Sequence, residues 1–347
     1  MKKIICILAI ISSFAVAGLA QESWGQYLQA GVNAVSIGNA DLALEAYNKA
    51  LAIIPEKDKD KVFFIYYVRA TAYSMKKDFE KSLADSNKAI ELKPELPDAY
   101  YDSGNTYQLL KKYDLAIADY TQTLKLDPKF MNAYNNRGIA YYNLENYEKA
   151  VADANEVIKA SPKQSIGYTN RANAYINWKK TELAIADYNK AVELEPTNFL
   201  QYLNRAVAYR KSGNWNMAIA DGDKASRMNP QCPHCFYEKG EGLLGSNKSD
   251  LAIIEFNNAL KIFPEFSTAI DARGRAYTKM LNFPNALADF NQAIKIASDR
   301  ETYYLDRGNL YLKMKKPALA KADFQNALKL NPKSEAAKTS LRNLGLK

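Results

Sequence analysis

The residues best suited to chemistry are two closely spaced cysteines, Cys232 and Cys235, which enclose Pro233 and His234. Proline is common at the first position of a helix, so the sequence predicts that Cys232 is the N-cap and Pro233 the first helical residue. A helix N-terminus lowers the pKa of a thiol, which would make Cys232 the nucleophile and Cys235 the resolving thiol of a redox pair. The same spacing also allows a structural disulfide, a metal site or two free thiols.

Metal binding is the less favoured of these interpretations because the chain has few ligands to offer. His234 is the only histidine, and the third cysteine, Cys6, lies in the apolar N-terminal stretch. A metal ion bound by Cys232 and Cys235 would therefore have at most three protein ligands, one fewer than a closed zinc site requires. We therefore expect a disulfide between the two cysteines, and no metal or cofactor.

A repeat of 34 residues determines which elements position these cysteines. One column of the repeat is proline in seven of its eight places, and a fixed period of this kind indicates tandem copies of one structural unit. The column contains Pro94, Pro128, Pro162, Pro196, Pro230, Pro264, Ser298 and Pro332.

Each copy has the pattern of two antiparallel helices. In 97–130, Tyr100, Gly104 and Tyr107 have the four-and-three spacing of one helical face. Pro128 ends the second helix, because proline cannot continue the backbone hydrogen bonding. The same spacing marks one face of that second helix, with Ala116, Tyr120 and Thr123.

This pattern of aromatic residues, small residues and a closing proline resembles the tetratricopeptide repeat family, and the resemblance extends over 24–334. It implies an all-α fold, a right-handed superhelical solenoid of about nine helix-turn-helix repeats with a C-terminal capping helix. A longer connection at 57–61 is expected to be a loop or an extra helical turn, and a hinge. The predicted domains are a signal peptide at 1–20 and a solenoid at 21–347, with repeats 24–57, 63–96, 97–130, 131–164, 165–198, 199–232, 233–266, 267–300 and 301–334 and a capping helix at 335–344.

The first twenty residues have the features of a secretory signal peptide: a basic start, an apolar run and small residues before Gln21. We expect a bacterial protein that is exported to the periplasm or associated with the envelope, with cleavage after Ala20. Retention of this segment as a membrane anchor is the alternative. The formal charge of +9 falls by two when Lys2 and Lys3 are removed. In an exported chain, this balance favours acidic or envelope partners over nucleic acid.

A charged pair also repeats, with a basic residue on the first helix and an acidic residue on the second. We expect these pairs to join the two helices of a hairpin, or neighbouring hairpins. The series is broken at Ser103, which stands opposite Asp119. The pairs are Arg69 and Asp85, Arg137 and Asp153, Arg171 and Asp187, Arg205 and Asp221, Lys239 and Glu255, Arg273 and Asp289, and Arg307 and Asp323.

The resemblance implies that the first helices line a concave groove that holds a protein or an extended peptide. Asparagines in this groove look like the ladder in the repeat domain of O-linked N-acetylglucosamine transferase, where side-chain amides hold a peptide backbone. An amide suits this role because it offers both a donor and an acceptor. The candidate partner-binding residues are Asn136, Asn170, Asn204, Asn105, Asn173, Asn135 and Tyr101.

The function predicted from these features is that of an exported interaction scaffold, not an enzyme. The alternative is a thiol–disulfide redox protein, because Cys232-Pro233-His234-Cys235 resembles the active site of periplasmic disulfide oxidases. The thioredoxin pattern that surrounds that site in the oxidases is absent, and a short CxxC motif does not transfer between folds. The Lys, Asn and Arg set of co-chaperones that clamp a C-terminal carboxylate is also missing. A third interpretation treats the lysine-rich turns as a docking edge for anionic lipid or cell-wall polymer.

Overall fold

The computed structural model describes residues 23–344, and its regular secondary structure there is entirely helical. Nineteen α-helices and one short 3-10 helix follow one another within this range, with no strand. The predicted all-α fold is therefore confirmed. The helices are α1 (Trp24–Ser36), α2 (Ala40–Ile53), α3 (Val62–Met75), α4 (Phe79–Leu92), α5 (Pro97–Leu109), α6 (Tyr113–Leu126), α7 (Met131–Asn143), α8 (Tyr147–Ala160), α9 (Ser165–Asn177), α10 (Thr181–Leu194), α11 (Phe199–Lys211), α12 (Trp215–Met228), α13 (Pro233–Gly245), α14 (Ser249–Ile262), α15 (Ser267–Lys279), α16 (Phe283–Ile296), α17 (Glu301–Lys313), α18 (Pro317–Leu330) and α19 (Glu335–Asn343).

The chain divides into two compact units, one ending at Pro162 and the other beginning at Lys163. The first unit contains four helical hairpins, α1–α8, and the second contains five, α9–α18, followed by α19. Within each unit the second helix of a hairpin packs against the first helix of the next. First helices also contact one another, from α1 to α7 in the first unit and from α11 to α17 in the second. They therefore form a layer in each of these stretches.

Small residues on the first helices make room for aromatic rings on the second helices. A Cβ atom added at Gly104 would lie 2.7 Å from the ring of Tyr120, which is fully buried. This ring packing explains why glycine recurs in that column of the repeat. The same arrangement joins Gly31 to Tyr47, Gly240 to Phe256, Gly274 to Phe290 and Gly308 to Phe324.

The contact between α12 and α13 is closer because Gly222 stands where most other repeats have a ring. A Cβ atom at Gly222 would lie 2.9 Å from the Cα of Lys239, and one at Gly242 would lie 2.9 Å from the Ile219 side chain. Gly245 likewise approaches the ring of Trp215, where a Cβ would come within 2.4 Å. The Gly-rich helix α13 therefore lies directly against α12.

The predicted charged pairs are confirmed, and Arg137 shows how such an arginine joins two hairpins. Arg137 donates from Nε and Nη2 to the two oxygens of Asp153, at 2.9 and 2.7 Å, which joins α7 to α8. Its Nη1 donates to Thr121 Oγ1 on α6 at 3.1 Å. Five other arginines make the same two-pronged bond, and Lys239 bridges Glu255 and Asp223. The five are Arg69 with Asp85, Arg171 with Asp187, Arg205 with Asp221, Arg273 with Asp289 and Arg307 with Asp323.

The break in this series leaves a buried carboxylate without a cation. Ser103 replaces the arginine, and the Oδ2 atom of Asp119 is buried with no hydrogen-bond partner. Burial raises the pKa of Asp119, and a hydrogen bond from Ser103 only partly opposes this rise.

The longer connection before α3 is a 3-10 helix, Glu56–Lys61, rather than a loop or an extension of α2. Asp58 holds it in place, since its carboxylate accepts from Trp24 Nε1 at 3.0 Å and from Lys61 Nζ at 2.7 Å. The bond from Trp24 ties the segment to α1.

The predicted signal peptide, 1–20, lies outside the described residues. Within 23–344, no helix is both long enough and apolar enough to cross a membrane. At the other end, Ser334 is the N-cap of α19, and its Oγ accepts from the Ala337 N–H at 3.3 Å.

Candidate functional site

The two cysteines begin α13 in the way that the sequence predicts. Cys232 is the N-cap and Pro233 follows it, and the Cys235 N–H donates to Cys232 Sγ at 3.1 Å. The two sulfur atoms lie 2.15 Å apart, which is disulfide distance. Cys232 is 7% exposed and Cys235 is fully buried. A redox role requires a sulfur that a second protein can reach, so this arrangement does not support the redox alternative.

In the first unit, four of the predicted partner-binding residues lie together on α5 and α7. The amide nitrogen of Asn136 donates to Tyr101 Oη at 3.0 Å and to Asn105 Oδ1 at 2.8 Å. Its oxygen accepts from Asn135 Nδ2 at 3.0 Å. From α6, Tyr120 Oη also donates to Asn105 Oδ1, at 2.9 Å. The side chains thus bond to one another and hold fixed orientations on the layer of first helices.

In the second unit, the predicted residues Asn170 and Asn173 lie on α9 and Asn204 lies on α11. Tyr188 Oη donates to Asn173 Oδ1 at 2.6 Å, which repeats the bond between Tyr120 and Asn105. Asn170 and Asn204 are both half-buried. A buried tyrosine hydroxyl therefore orients one asparagine amide in each unit. Whether these residues bind a partner stays a prediction.

A charged cluster on α13, α15 and α17 is a second candidate site. Arg275 Nη2 donates to Glu241 Oε1 at 2.5 Å, and its Nε lies 3.3 Å from Asp271 Oδ2 and 3.8 Å from Asp306 Oδ2. One guanidinium therefore faces three carboxylates. The second oxygen of Asp271, Oδ1, is buried and has no hydrogen-bond partner.

The carboxyl groups in and beside this cluster have raised pKa values. Burial and the neighbouring Asp306 raise the pKa of Asp271 to about 8, and burial likewise raises the pKa of Asp306. Next to the cluster, Arg210 donates to both oxygens of Glu238, at 2.7 and 3.3 Å. Burial nevertheless raises the pKa of Glu238. Burial thus disfavours the charged form of these carboxyl groups.

A cavity of about 370 Å³ opens onto this cluster. Three basic residues, Arg210, Arg275 and Lys279, and two acidic residues, Glu241 and Asp306, line it together with Trp215. The Lys279 amine donates to Leu244 O and Asn247 Oδ1, both at 3.0 Å, rather than to a carboxylate. Throughout 23–344, no group of His, Cys, Asp and Glu side chains could hold a metal ion.

Sequence reasoning missed this cluster although most of its residues occupy the columns of the groove asparagines Asn136 and Asn105. Glu238 and Asp306 fall in the column of Asn136, and Glu241 and Arg275 fall in the column of Asn105. In the sequence they appear only as departures from an asparagine ladder. The replacement of neutral amides by charges in three successive repeats, 233–266, 267–300 and 301–334, was the available signal.

Comparison with known protein families identifies five segments as tetratricopeptide repeats. Four of them match one description of that repeat, and a second description with the same name matches 65–96. The four segments are 97–130, 132–164, 165–198 and 302–334.

Solved structures of repeat proteins have a similar fold. A tetratricopeptide repeat protein from Parabacteroides merdae matches with a TM-score of 0.59 and 17% identity, over 74% of this chain and 99% of that one. The APC/C hetero-tetramer Cut9–Hcn1 gives 0.59 and 16%, over 92% and 75%. The human IFIT1 dimer with m7Gppp-AAAA gives 0.58 and 14%, over 94% and 81%. At these identities the likeness concerns the fold alone.

Proposed function

We propose that this chain, which belongs to the tetratricopeptide repeat family, is an exported scaffold that binds a partner polypeptide along its first helices. The repeat family is typically a non-catalytic scaffold, and its fold supports binding of a protein or peptide. The observation that carries the proposal here is the layer of contacting first helices, on which polar side chains are held by hydrogen bonds. Such a surface suits an extended backbone, which needs donors and acceptors along its length.

The fixed orientation of the asparagines supports this role. Tyr120 and Tyr188 hold the amides of Asn105 and Asn173 from the second-helix side, so these two candidate residues have little side-chain entropy to lose when a partner binds. Asparagine is also less favourable than alanine inside a helix by about 0.5 kcal/mol, so helix formation does not account for its recurrence. We propose that Asn136, Asn170 and Asn204 contact the partner.

Replacing Asn136, Asn170 and Asn204 together by alanine tests this proposal. Each hydrogen bond to a peptide is worth about 1 kcal/mol, so three losses should weaken partner capture at least about tenfold. The amount of partner recovered with the tagged chain after cross-linking in cells measures the effect, and far-UV circular dichroism should show unchanged helicity.

The matched control replaces two exposed asparagines of second helices, Asn216 on α12 and Asn285 on α16, by alanine. It makes the same chemical change on second helices and should leave capture unaltered. If the unmodified chain and the triple alanine variant capture equal amounts of partner, these asparagines do not contribute to binding.

Export is proposed on the signal-peptide pattern of 1–20 and on the disulfide distance between Cys232 and Cys235, since such bonds persist in oxidising compartments. The mass of the N-terminal peptide of the chain isolated from the source cells checks this. We expect it to begin at Gln21. A chain that still begins at Met1 and remains with the cytoplasm would contradict export.

A further inference from the structure

We propose that the Ser103 position, between α5 and α6, is a docking site for an arginine side chain of the partner polypeptide. Six other repeats fill the corresponding position with an arginine of the chain itself. This inference rests on the proposed function, because it names the chemistry of one contact with the same partner. The six are Arg69, Arg137, Arg171, Arg205, Arg273 and Arg307.

Arg137 shows what surrounds a guanidinium in this column. The carboxylate of Asp153 accepts two hydrogen bonds, at 2.9 and 2.7 Å, and Thr121 of the preceding hairpin accepts a third. The Cζ atom of Arg137 lies 5.5 Å from the ring centre of Tyr134 and 5.9 Å from that of Tyr141, within the range of cation–π contacts. A carboxylate, two aromatic rings and one further acceptor therefore form the guanidinium site. Two rings likewise flank Arg69, Arg205 and Arg307.

Repeat 97–130 keeps these groups around Ser103. Tyr100 and Tyr107 occupy the two ring positions, three residues before Ser103 and four after it. Asn87, on α4, occupies the position of the further acceptor, and Asp119 occupies that of the paired carboxylate. Burial and the charge of Asp119 raise the pKa of both tyrosines, so the two rings lie near this carboxylate. Every part of the site except the arginine is therefore present.

The carboxylate of Asp119 has an oxygen to offer to a ligand. Its Oδ2 atom is buried and has no hydrogen-bond partner, although buried carboxylate oxygens normally have a donor. Ser103 gives this carboxylate one hydrogen bond, whereas Arg137 gives Asp153 two. Asp119 is also partly exposed, while the six aspartates paired with arginine are 3–6% exposed. An arginine covers the carboxylate in those repeats, and Ser103 is too short to do so.

Binding of an external guanidinium would also relieve the fold. In the free chain, burial raises the pKa of Asp119, and the hydrogen bond from Ser103 only partly opposes this rise. A guanidinium that binds there stabilises the ionised carboxylate. The affinity therefore includes the relief of a destabilising charge that the free chain already contains.

Arginine fits the position better than lysine or a metal ion. Its planar guanidinium bonds both oxygens of a carboxylate and stacks on aromatic rings. Lys239, the one lysine of this column, bridges Glu255 and Asp223 instead of making a two-pronged bond. Phe236 and Leu243 stand at its two ring positions, so the tyrosine pair does not accompany the lysine. Among residues 23–344, no group of acidic, histidine and cysteine side chains could hold a metal ion.

The test uses small probes on the full purified chain, so that it does not depend on a partner being known. Nα-acetyl-arginine amide is titrated into protein labelled with ¹³C in its aspartate carboxyl groups, and binding is followed by the Asp119 carboxyl signal. This signal is identified by its loss in Asp119→Asn. Nα-acetyl-citrulline amide is the uncharged control of the same shape, and Nα-acetyl-lysine amide is the further arm.

We expect the arginine probe to bind at least about tenfold more tightly than the citrulline probe, because its hydrogen bonds to the carboxylate are charge-assisted. The lysine probe should bind more weakly than arginine, since it cannot make the two-pronged bond. Bound arginine should also lower the pKa of Asp119, because a nearby cation favours the ionised form. Asp114→Asn, which removes an exposed charge from the same helix, should leave arginine binding unchanged.

Ser103→Arg fills the position from within the chain. This variant should show a lowered pKa of Asp119 in the absence of any probe, and it should bind the arginine probe at least about tenfold more weakly. Ser103→Ala leaves the position open and is the matched control, which should keep the preference for arginine over citrulline.

Equal affinity for arginine and citrulline would overturn the proposal, as would an unchanged pKa of Asp119 at saturation with the arginine probe. Undiminished binding by a folded Ser103→Arg chain would do the same. The comparison of probes on the unmodified chain decides the matter even where a variant misfolds. It is also independent of partner capture. Arginine binding without any captured polypeptide would therefore count against the proposed function while the arginine site stood.

Discussion

Replacing Asp153 by asparagine is expected to lower the free energy of unfolding of the chain by about 3 kcal/mol. The substitution removes the charge that Arg137 pairs with while the arginine stays largely buried, and breaking such a pair from one side costs about 3–5 kcal/mol. Because Arg137 also bonds Thr121 in the preceding hairpin, the loss should affect the contact between hairpins as well. Urea denaturation followed by circular dichroism measures it as a shift of the midpoint.

Asp119 provides the matched control, because it occupies the same column without an arginine. Its Oδ2 is buried and unpaired, so Asp119→Asn removes an uncompensated charge and should raise the stability or leave it unchanged. The native pKa of Asp119 is raised, so ionisation destabilises the fold above that pKa. Any gain from the asparagine is therefore present at pH 7 and disappears as the pH falls toward the ordinary value of 3.8. Equal losses from the Asp119 and Asp153 variants would contradict the role given to the arginines.

The hairpins and their charged pairs could be predicted from the sequence because a repeated column has the same environment in every copy. A glycine opposite Tyr120 and an arginine opposite Asp153 recur for this reason, and comparing the copies reveals their roles. The N-cap Cys232 could be predicted from local chemistry alone, with Pro233 as the signal.

What could not be predicted depends on which side chains meet across hairpins. The sequence suggests that both ends of the Asn136 amide are available to a peptide, whereas its nitrogen already donates to Tyr101 and Asn105 and only its oxygen remains to accept from a partner. Likewise, Asp271 and Asp306 belong to different repeats and different columns, so no single column reveals that both lie beside Arg275. Such contacts depend on the angle at which neighbouring hairpins pack, and the period does not specify it.

The second large effect that we expect concerns the surface on which the partner lies. If the first helices hold the polypeptide, a photoreactive residue there should form a covalent adduct, while one on the exposed side of a second helix should not. Asn204 on α11 and Leu183 on α10 suit this comparison, because both belong to the second unit and Leu183 is 49% exposed. The difference should be close to all or none, since the photoreactive group reacts only with atoms in contact.

The most direct measurement is therefore cross-linking in intact source cells with p-benzoyl-phenylalanine at position 204 or 183, followed by mass spectrometry of the adducts. The account predicts that a discrete polypeptide is cross-linked from position 204 and is absent or scarce from position 183. Adducts formed from position 183 alone, or from neither position, would contradict the claim that this chain binds a partner through its first helices.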